Sequence, residues 1–164
     1  MLADKQEFGE GSVMDFVTEF DEIIGKVSSI LGKPIENEKY RIVDRGVPHQ
    51  PKPLPTGMMG VYTFWYNGRF LKIGKAGARS NARFFSQHYN PNSARSNLAK
   101  SILSDKEMNH LGISETNVGD WIKRNCRRTD ILLDADLGIF TLTLIETSLH
   151  NKYEPKYEGF SAQR

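Results

Sequence analysis

The apolar residues in the first part of the chain recur at three- and four-residue intervals. They are Val13, Phe16, Phe20, Ile23, Ile24, Val27 and Leu31. This spacing predicts one amphipathic helix over 13–31 that ends near Gly32-Lys33-Pro34. Four prolines follow within 46–57, and they predict an extended connector. We therefore expect 1–56 to form an N-terminal helix and a Pro-rich connector, ahead of a core over 57–164.

A run of strand-forming residues over 60–66 opens the expected core. Asn67-Gly68 follows and suits a type I′ turn, and 70–74 is again apolar. These features predict a β-hairpin. A further strand is expected over 129–134. The predicted fold class is α+β, with a small antiparallel three-stranded sheet flanked by helices.

The rest of the core has mainly helical spacing. Two helices are expected over 78–88 and 93–103, and an insertion over 105–128 contains a polar stretch and a short basic helix over 120–128. The segment 137–152 fits both alternating and helical spacing, so periodicity alone leaves strand and helix open. Its length and its polar end favour a helix.

Composition indicates the class of protein. The chain has 164 residues with 38% hydrophobic and 26% charged residues, which suits one globular domain. Cys126 is its single cysteine, so no internal disulfide is possible. No apolar run approaches a membrane span, and the N-terminus lacks the pattern of a signal peptide. We expect a cytoplasmic protein with no membrane partner.

Charge is distributed unevenly along the chain. The stretch 45–104 holds nine of the 22 Lys and Arg residues and none of the 20 Asp and Glu residues. That stretch therefore carries +9, whereas the remainder carries −7. A polyanion such as a nucleic-acid backbone fits this field. The alternative is a solvated face whose acidic partners lie nearby in space.

Two short motifs stand about ten residues apart, Gly60-Val61-Tyr62 and Lys72-Ile73-Gly74. Arg83, Glu146 and Pro155-Lys156-Tyr157 follow in order. The ordered set resembles the GIY-YIG endonuclease superfamily over roughly 57–160, and most of all its compact stand-alone restriction endonucleases. The resemblance implies a metal-dependent endodeoxyribonuclease, a hydrolase acting on duplex DNA, and a possible homodimer.

Catalytic roles follow from the resemblance and from side-chain chemistry. Tyr62 is the candidate general base. Lys72 stands where the superfamily usually has Tyr, and its positive charge is expected to lower the pKa of Tyr62. Arg83 is expected to bind the scissile phosphate, with Arg79 as the rival. His88 is a further candidate, although a plain surface histidine is an equal alternative.

Glu146 is a lone acid in an apolar run, so it should face a cation or a cleft. The resemblance implies that it binds one Mg²⁺ or Mn²⁺ ion per active site. The alternative is the exposed face of an amphipathic helix. A zinc site is not expected, because no second cysteine or His-x-x-x-His pair completes its four ligands. The role of Glu158, where the superfamily often has Asn, is left open.

Several basic residues are candidates for contact with the DNA backbone, with a solvated face as the alternative. They are Lys75, Arg79, Arg95, Lys123, Arg124, Arg127 and Arg128. Two further functions stay open beside a restriction-type enzyme. One is a repair nuclease or a nuclease specific for branched DNA. The other is a nucleic-acid-binding module that keeps the fold without catalysis.

Overall fold

The structure, a computed structural model, describes residues 13–158. The remainder of the predicted N-terminal and C-terminal ranges, 1–12 and 159–164, lies outside the described residues. The elements are α1 (Phe16–Leu31), β1 (Tyr40–Gly46), β2 (Met58–Tyr66), β3 (Arg69–Ala76), α2 (Asn81–Phe85), α3 (Leu98–Ser104), α4 (Val118–Asn125), β4 (Arg127–Asp134) and α5 (Ile139–Tyr153). Short 3₁₀ helices span Asn37–Lys39, Gln87–Tyr89, Lys106–Leu111 and Ala135–Leu137.

The fold is α+β, and its antiparallel sheet has four strands rather than the predicted three. The strand order is β1-β4-β2-β3. The additional strand, β1, comes from the range predicted to hold only a helix and a connector. Sequence patterning missed it because Arg41, Asp44 and Arg45 interrupt its apolar residues, as is tolerated in a strand at the sheet edge.

The predicted hairpin is confirmed. Tyr62 pairs with Gly74 and Phe64 pairs with Lys72. Asn67 and Gly68 have φ of 48° and 82°, which is the left-handed backbone that the Asn-Gly turn signal predicts. Strand β3 lies at one edge of the sheet.

Helices cover both faces of the sheet. On one face, α1 and α5 bury an aromatic core that includes Phe16, Phe20 and Phe70. Burying a side chain of this size contributes about 1.5–3 kcal/mol. On the other face, α2, α3 and α4 pack over a second core that contains Tyr62 and Phe64. The predicted catalytic tyrosine therefore lies beneath the short helices.

Those short helices differ from the prediction. The expected helix over 78–88 is only five residues long, Asn81–Phe85, followed by the 3₁₀ turn Gln87–Tyr89. Helix α3 begins at Leu98 because Asn97 caps it, accepting from the amide of Lys100 at 2.8 Å. The ambiguous segment over 137–152 is a helix, as its length and polar end favour.

No helix within 13–158 is both long and apolar enough to cross a membrane.

Candidate active site

Tyr62 lies against the backbone of the edge strand. Its ring packs over Gly74, where a Cβ atom would stand 2.4 Å from the phenol oxygen. No side chain fits into that space, so the glycine of the second motif is required by the position of the tyrosine. Lys72 points to the same face as Tyr62, diagonally across the hairpin as expected.

The glycine of the first motif, Gly60, leaves room for helix α2 to pack on the sheet. A Cβ on Gly60 would stand 2.6 Å from a ring carbon of Phe84. The missing side chain lets Phe84 pack directly on the sheet, which fixes α2 against β2. Arg83, the preceding residue, reaches the phenol, and its Nε donates to the Tyr62 hydroxyl at 3.4 Å. Arg83 therefore contacts Tyr62, which lies 21 positions earlier in the chain.

The expected lowering of the Tyr62 pKa is wrong. Burial raises the pKa of Tyr62 to about 12, although the hydrogen bond and positive charge of Arg83 act in the opposite direction. Tyr62 is fully buried, and desolvation penalises the tyrosinate. In this structure the phenol is therefore protonated at neutral pH.

Lys72 has a partner that the sequence prediction did not assign. Its Nζ lies 3.0 Å from Oε1 of Glu158, and the lysine is only 5% exposed. The C-terminal segment delivers this carboxylate by pairing with the outer edge of β3: Lys156 N donates to Phe70 O and Tyr157 N to Leu71 O, both at 3.0 Å. Glu158 thus neutralises the charge that was expected to act on Tyr62.

Glu146 faces a cation, as predicted, and the cation is Lys75. The distance from Lys75 Nζ to Glu146 Oε2 is 2.6 Å. The side chain of Glu146 is 14% exposed, which rules out the freely exposed helix face. His150 Nε2, one turn later on α5, lies 3.7 Å from the other carboxylate oxygen. Lys75 adjoins Gly74 on β3 but points to the opposite face, the one that α5 covers, so Glu146 acts on Tyr62 through its charge from the other side of this edge.

His88 is buried, so the surface-histidine alternative is wrong. Its ring centroid lies 4.6 Å from that of Tyr62, and Nδ1 accepts from the amide of Leu98 at 3.2 Å. Burial, followed by the positive charges of Lys72, Arg128 and Arg83, lowers the pKa of His88 to about 3. The ring is therefore neutral, with its proton on Nε2, and Nε2 has no hydrogen-bond partner within the described part of the chain.

The predicted catalytic residues thus gather at one place. The negative charges of both Glu146 and Glu158 act on Tyr62 and on Arg83. The residues of this site come from β2, β3, α2, α5 and the segment after α5. A phosphate at this edge would meet the guanidinium of Arg83, with the buried phenol of Tyr62 behind it, and the carboxylate of Glu146 across the edge of the strand.

A divalent ion fits this donor set if substrate supplies most of the ligands. Residues 13–158 contain no group of three or more His, Cys, Asp or Glu residues placed to hold a metal. Glu146 offers an oxygen ligand of the predicted kind. Mg²⁺ is commonly bound by one or two carboxylates with water and substrate phosphates, so one carboxylate suffices for the implied ion.

The predicted DNA-contact residues fall into three groups. Arg79, Arg95 and Arg124 are exposed, and Lys123 is half-buried. None of these four forms an ion pair with a carboxylate of the described residues. Lys75 is instead bound to Glu146. Unpaired cations are available for phosphate contacts.

Arg127 and Arg128 form the third group, and their assignment to a surface cluster is wrong. Arg127 pairs with Asp44, and its Nη1 donates to Met14 O at 2.7 Å. Arg128 is 0% exposed and pairs with Asp130. Both arginines lie on β4 rather than on the predicted helix over 120–128, and each satisfies its charge inside the protein.

The four predicted DNA-contact residues without an ion pair, Arg79, Arg95, Lys123 and Arg124, lie on one side of the sheet. The unpaired cations lie on or beside α2, α3 and α4. Helix α1, on the other side of the sheet, exposes Asp21 and Glu22. The basic side is the one that carries Arg83. Acids are exposed on the same side, Asp120 on α4 and Glu107 and Glu115 beside α3 and α4, so the solvated-face alternative stays open.

Sequence reasoning missed Asp130, left the role of Glu158 open and assigned Arg128 to DNA contact. Glu158 holds Lys72, and Asp130 and Arg128 lie beneath α2. The alternation of Arg128 and Asp130 within an apolar strand was the available signal, because side chains two apart on a strand share a face.

Comparison with known protein families, curated proteins and solved structures found no match.

Proposed function

We propose that the protein is a metal-dependent endonuclease that hydrolyses phosphodiester bonds in duplex DNA, with a GIY-YIG-like active site. The observation that carries the proposal is the convergence of Tyr62, Lys72, Arg83, His88 and Glu146 at the edge of β3. These residues were selected from the sequence, by the family resemblance and by side-chain chemistry, and they span 85 positions of the chain.

Arg83 is the proposed phosphate ligand. Its guanidinium is exposed on α2 while its Nε contacts Tyr62, so the remaining donors can bind two phosphate oxygens. Arg79 lies before α2, whereas Arg83 lies within it and donates to Tyr62. The geometry therefore favours Arg83 for the scissile phosphate and Arg79 for a neighbouring one.

Tyr62 is the proposed group that orients and deprotonates the attacking water. A phenol whose pKa is about 12 is almost wholly protonated at neutral pH, so this role predicts a rate that rises with pH. Buried His88 packs against the ring of Tyr62 and helps to fix its position.

Glu146 is the proposed ligand of one Mg²⁺ or Mn²⁺ ion. Such an ion supplies charge stabilisation to the phosphate and to the leaving oxygen. Lys75 binds the carboxylate, so it must yield its place to the ion or share the carboxylate with it. After release, its ammonium would remain close enough to contact a phosphate.

The proposed DNA-binding surface consists of the cations on or beside α2, α3 and α4 that form no ion pair with a described residue: Arg79, Arg95, Lys123 and Arg124. Each phosphate contact adds favourable counterion release. One active site cuts one strand, so a double-strand break requires two protomers or two encounters. A homodimer is therefore part of the proposal for a restriction-type enzyme, and sedimentation or light scattering would give its mass.

One observation favours a second candidate, a nucleic-acid-binding module without catalysis. Both carboxylates at the candidate site are already paired, Glu146 with Lys75 and Glu158 with Lys72. A site that no longer binds metal could keep these pairs permanently. A branched-DNA or repair nuclease would use the same residues as the restriction-type enzyme on another substrate.

A defined duplex tests these possibilities. The protein is incubated with labelled linear, nicked and four-way-branched DNA in Mg²⁺ or Mn²⁺, and the product ends are identified. Metal-dependent cutting that leaves 5′-phosphate and 3′-hydroxyl ends supports hydrolysis, and the preferred substrate distinguishes the nuclease classes. Binding without cutting on every substrate would support the module without catalysis.

A further inference from the structure

Arg128 is an arginine without any exposed surface. It is 0% exposed, and all its nitrogens have partners. Nε donates to Asp130 Oδ1 at 2.8 Å, Nη1 to the Tyr89 hydroxyl at 2.8 Å and Nη2 to the carbonyl of Phe84 at 2.7 Å. Burying a guanidinium is costly, so an arginine with this many bonds has a specific task.

The partners of Arg128 are themselves fixed. Asp130 is fully buried and also accepts from Nε of Arg45 on β1. The hydroxyl of Tyr89 lies 2.7 Å from Nε2 of His49, whose Nδ1 lies 2.7 Å from the carbonyl of Cys126. Arg128 therefore stands in the middle of a polar network that joins β1, β4 and the connector.

Two of its three bonds lead to the segment that carries the candidate catalytic residues. Phe84 follows Arg83 directly, and Tyr89 follows His88 directly. The guanidinium carbon also lies 4.8 Å from the ring centroid of Phe84 and 5.9 Å from that of Tyr62. Arg128 thus contacts the neighbours of every group proposed to act on this side of the phosphate.

The segment needs such an anchor. Helix α2 has five residues and no side-chain cap, and a helix this short is unstable without tertiary contacts. Arg83 itself is exposed, so it contributes little to holding its own backbone. The position of its guanidinium depends on what binds the residues on either side.

We propose that Arg128 is a positioning residue, which holds the 81–89 segment from below so that Arg83 and His88 face Tyr62. This role rests on the proposed nuclease function. An arginine suits it because one rigid planar fork can reach a carboxylate, a hydroxyl and a carbonyl together. A lysine could satisfy these partners only in part.

Stability alone is a weaker explanation of the network. A buried ion pair often contributes no more than an apolar pair of the same volume, because desolvation offsets the attraction. A DNA contact is excluded by the lack of exposed surface. The three directed hydrogen bonds explain why an arginine is buried here, because together they fix the position of the 81–89 segment.

Removing one hydroxyl from the network gives the mildest test. Tyr89→Phe deletes the acceptor of Arg128 Nη1 and keeps the ring, whereas Tyr40→Phe deletes a hydroxyl that donates to Asp21 on the far side of the sheet. The two variants lose the same atom. We expect kcat of Tyr89→Phe to fall roughly tenfold or more with KM unchanged, because catalysis depends steeply on geometry. We expect Tyr40→Phe to keep the kcat of the unaltered protein.

A second readout does not require activity. Amide hydrogen exchange, followed by mass spectrometry in the free protein, should become faster in 81–89 for Tyr89→Phe while α1 and α5 keep their protection. Arg128→Lys should increase both effects, with a fall in kcat of about 100-fold. If Arg128→Lys does not fold, Tyr89→Phe decides the matter.

The outcomes separate the two claims. Unchanged exchange in 81–89, or kcat that falls equally in Tyr89→Phe and Tyr40→Phe, would overturn the positioning role. If the unaltered protein cuts no DNA, the proposed function fails, and the exchange data still decide whether the network holds the segment.

Discussion

Replacing Gly74 by alanine is expected to damage both the fold and the site through one contact. The added Cβ would stand 2.4 Å from the phenol oxygen of Tyr62, 2.5 Å from Cζ and 2.7 Å from Cε2. Contacts under 3.0 Å force something to move. The hydroxyl oxygen and two ring carbons are involved, so a small rotation of one bond cannot relieve the clash.

The surroundings of Tyr62 limit where its ring can go. It is fully buried against His88, Phe64 and Phe84, with ring centroids 4.6, 6.2 and 6.3 Å away. Relief therefore requires a displacement of about 1 Å of ring or strand. Overpacking of this kind costs about 1–3 kcal/mol, which corresponds to a fall in Tm of roughly 2–12 °C for a chain of this length.

Activity should fall by more than the lost stability explains. The hydrogen bond from Arg83 to Tyr62 is already long, at 3.4 Å, and a shift of about 1 Å would break it. A displacement of that size in a catalytic site can cost about 100-fold in rate. The expected outcome is a folded variant with little cleavage.

Thermal and urea unfolding, with cleavage measured well below Tm, test this reasoning. Gly25→Ala is the matched control: Gly25 is exposed in α1, and a Cβ there meets nothing within 4 Å. It should stabilise the protein by about 0.5–1 kcal/mol, as alanine does in a helix. A Gly74→Ala protein with unaltered Tm and rate would refute the proposed packing of Tyr62.

Three further outcomes follow from the structure. With Tyr62 as the base and a pKa of about 12, kcat/KM should rise about tenfold per pH unit between roughly pH 7 and 10; a flat profile, or one that Tyr62→Phe retains, would exclude the role. The pKa of His88 is about 3 in the folded protein and about 6.5 in the unfolded chain. Below about pH 6.5 the unfolded chain therefore binds a proton that the folded protein does not. The free energy of unfolding should fall there by up to about 1.4 kcal/mol per pH unit as the pH is lowered. Urea titrations at several pH values should show a shallower loss in His88→Gln, and an equal loss would contradict the burial of a neutral ring. Arg95→Gln should lower DNA affinity and reduce the slope of log K against log[salt] by about 1, whereas Lys33→Gln, beyond the end of α1, should leave the slope unchanged.

The sequence allowed prediction where local rules decide the structure. The hairpin follows from strand formers on both sides of Asn67-Gly68, and α1 follows from regular apolar spacing. The order of the motif residues was enough to select side chains that lie together. In each case the signal depends on neighbours within a few positions along the chain.

Prediction failed where a distant partner decides the outcome. Arg128 looked like a DNA contact because its partner Tyr89 lies 39 residues away and the chain gives no sign of the pairing. The pKa of Tyr62 was expected to fall because burial of the phenol could not be judged from the strand pattern. Strand β1 was missed because its pairing with β4 is entirely long-range.

The cleavage of supercoiled plasmid tests the central claim most directly. The unaltered protein, Glu146→Ala and the exposed-acid control Glu115→Ala are compared with Mg²⁺, with Mn²⁺ and with EDTA. We predict nicked or linear products for the unaltered protein and Glu115→Ala in either metal, and none for Glu146→Ala or in EDTA. Equal cutting by Glu146→Ala, or no cutting by the unaltered protein on plasmid and branched DNA alike, would contradict the nuclease assignment.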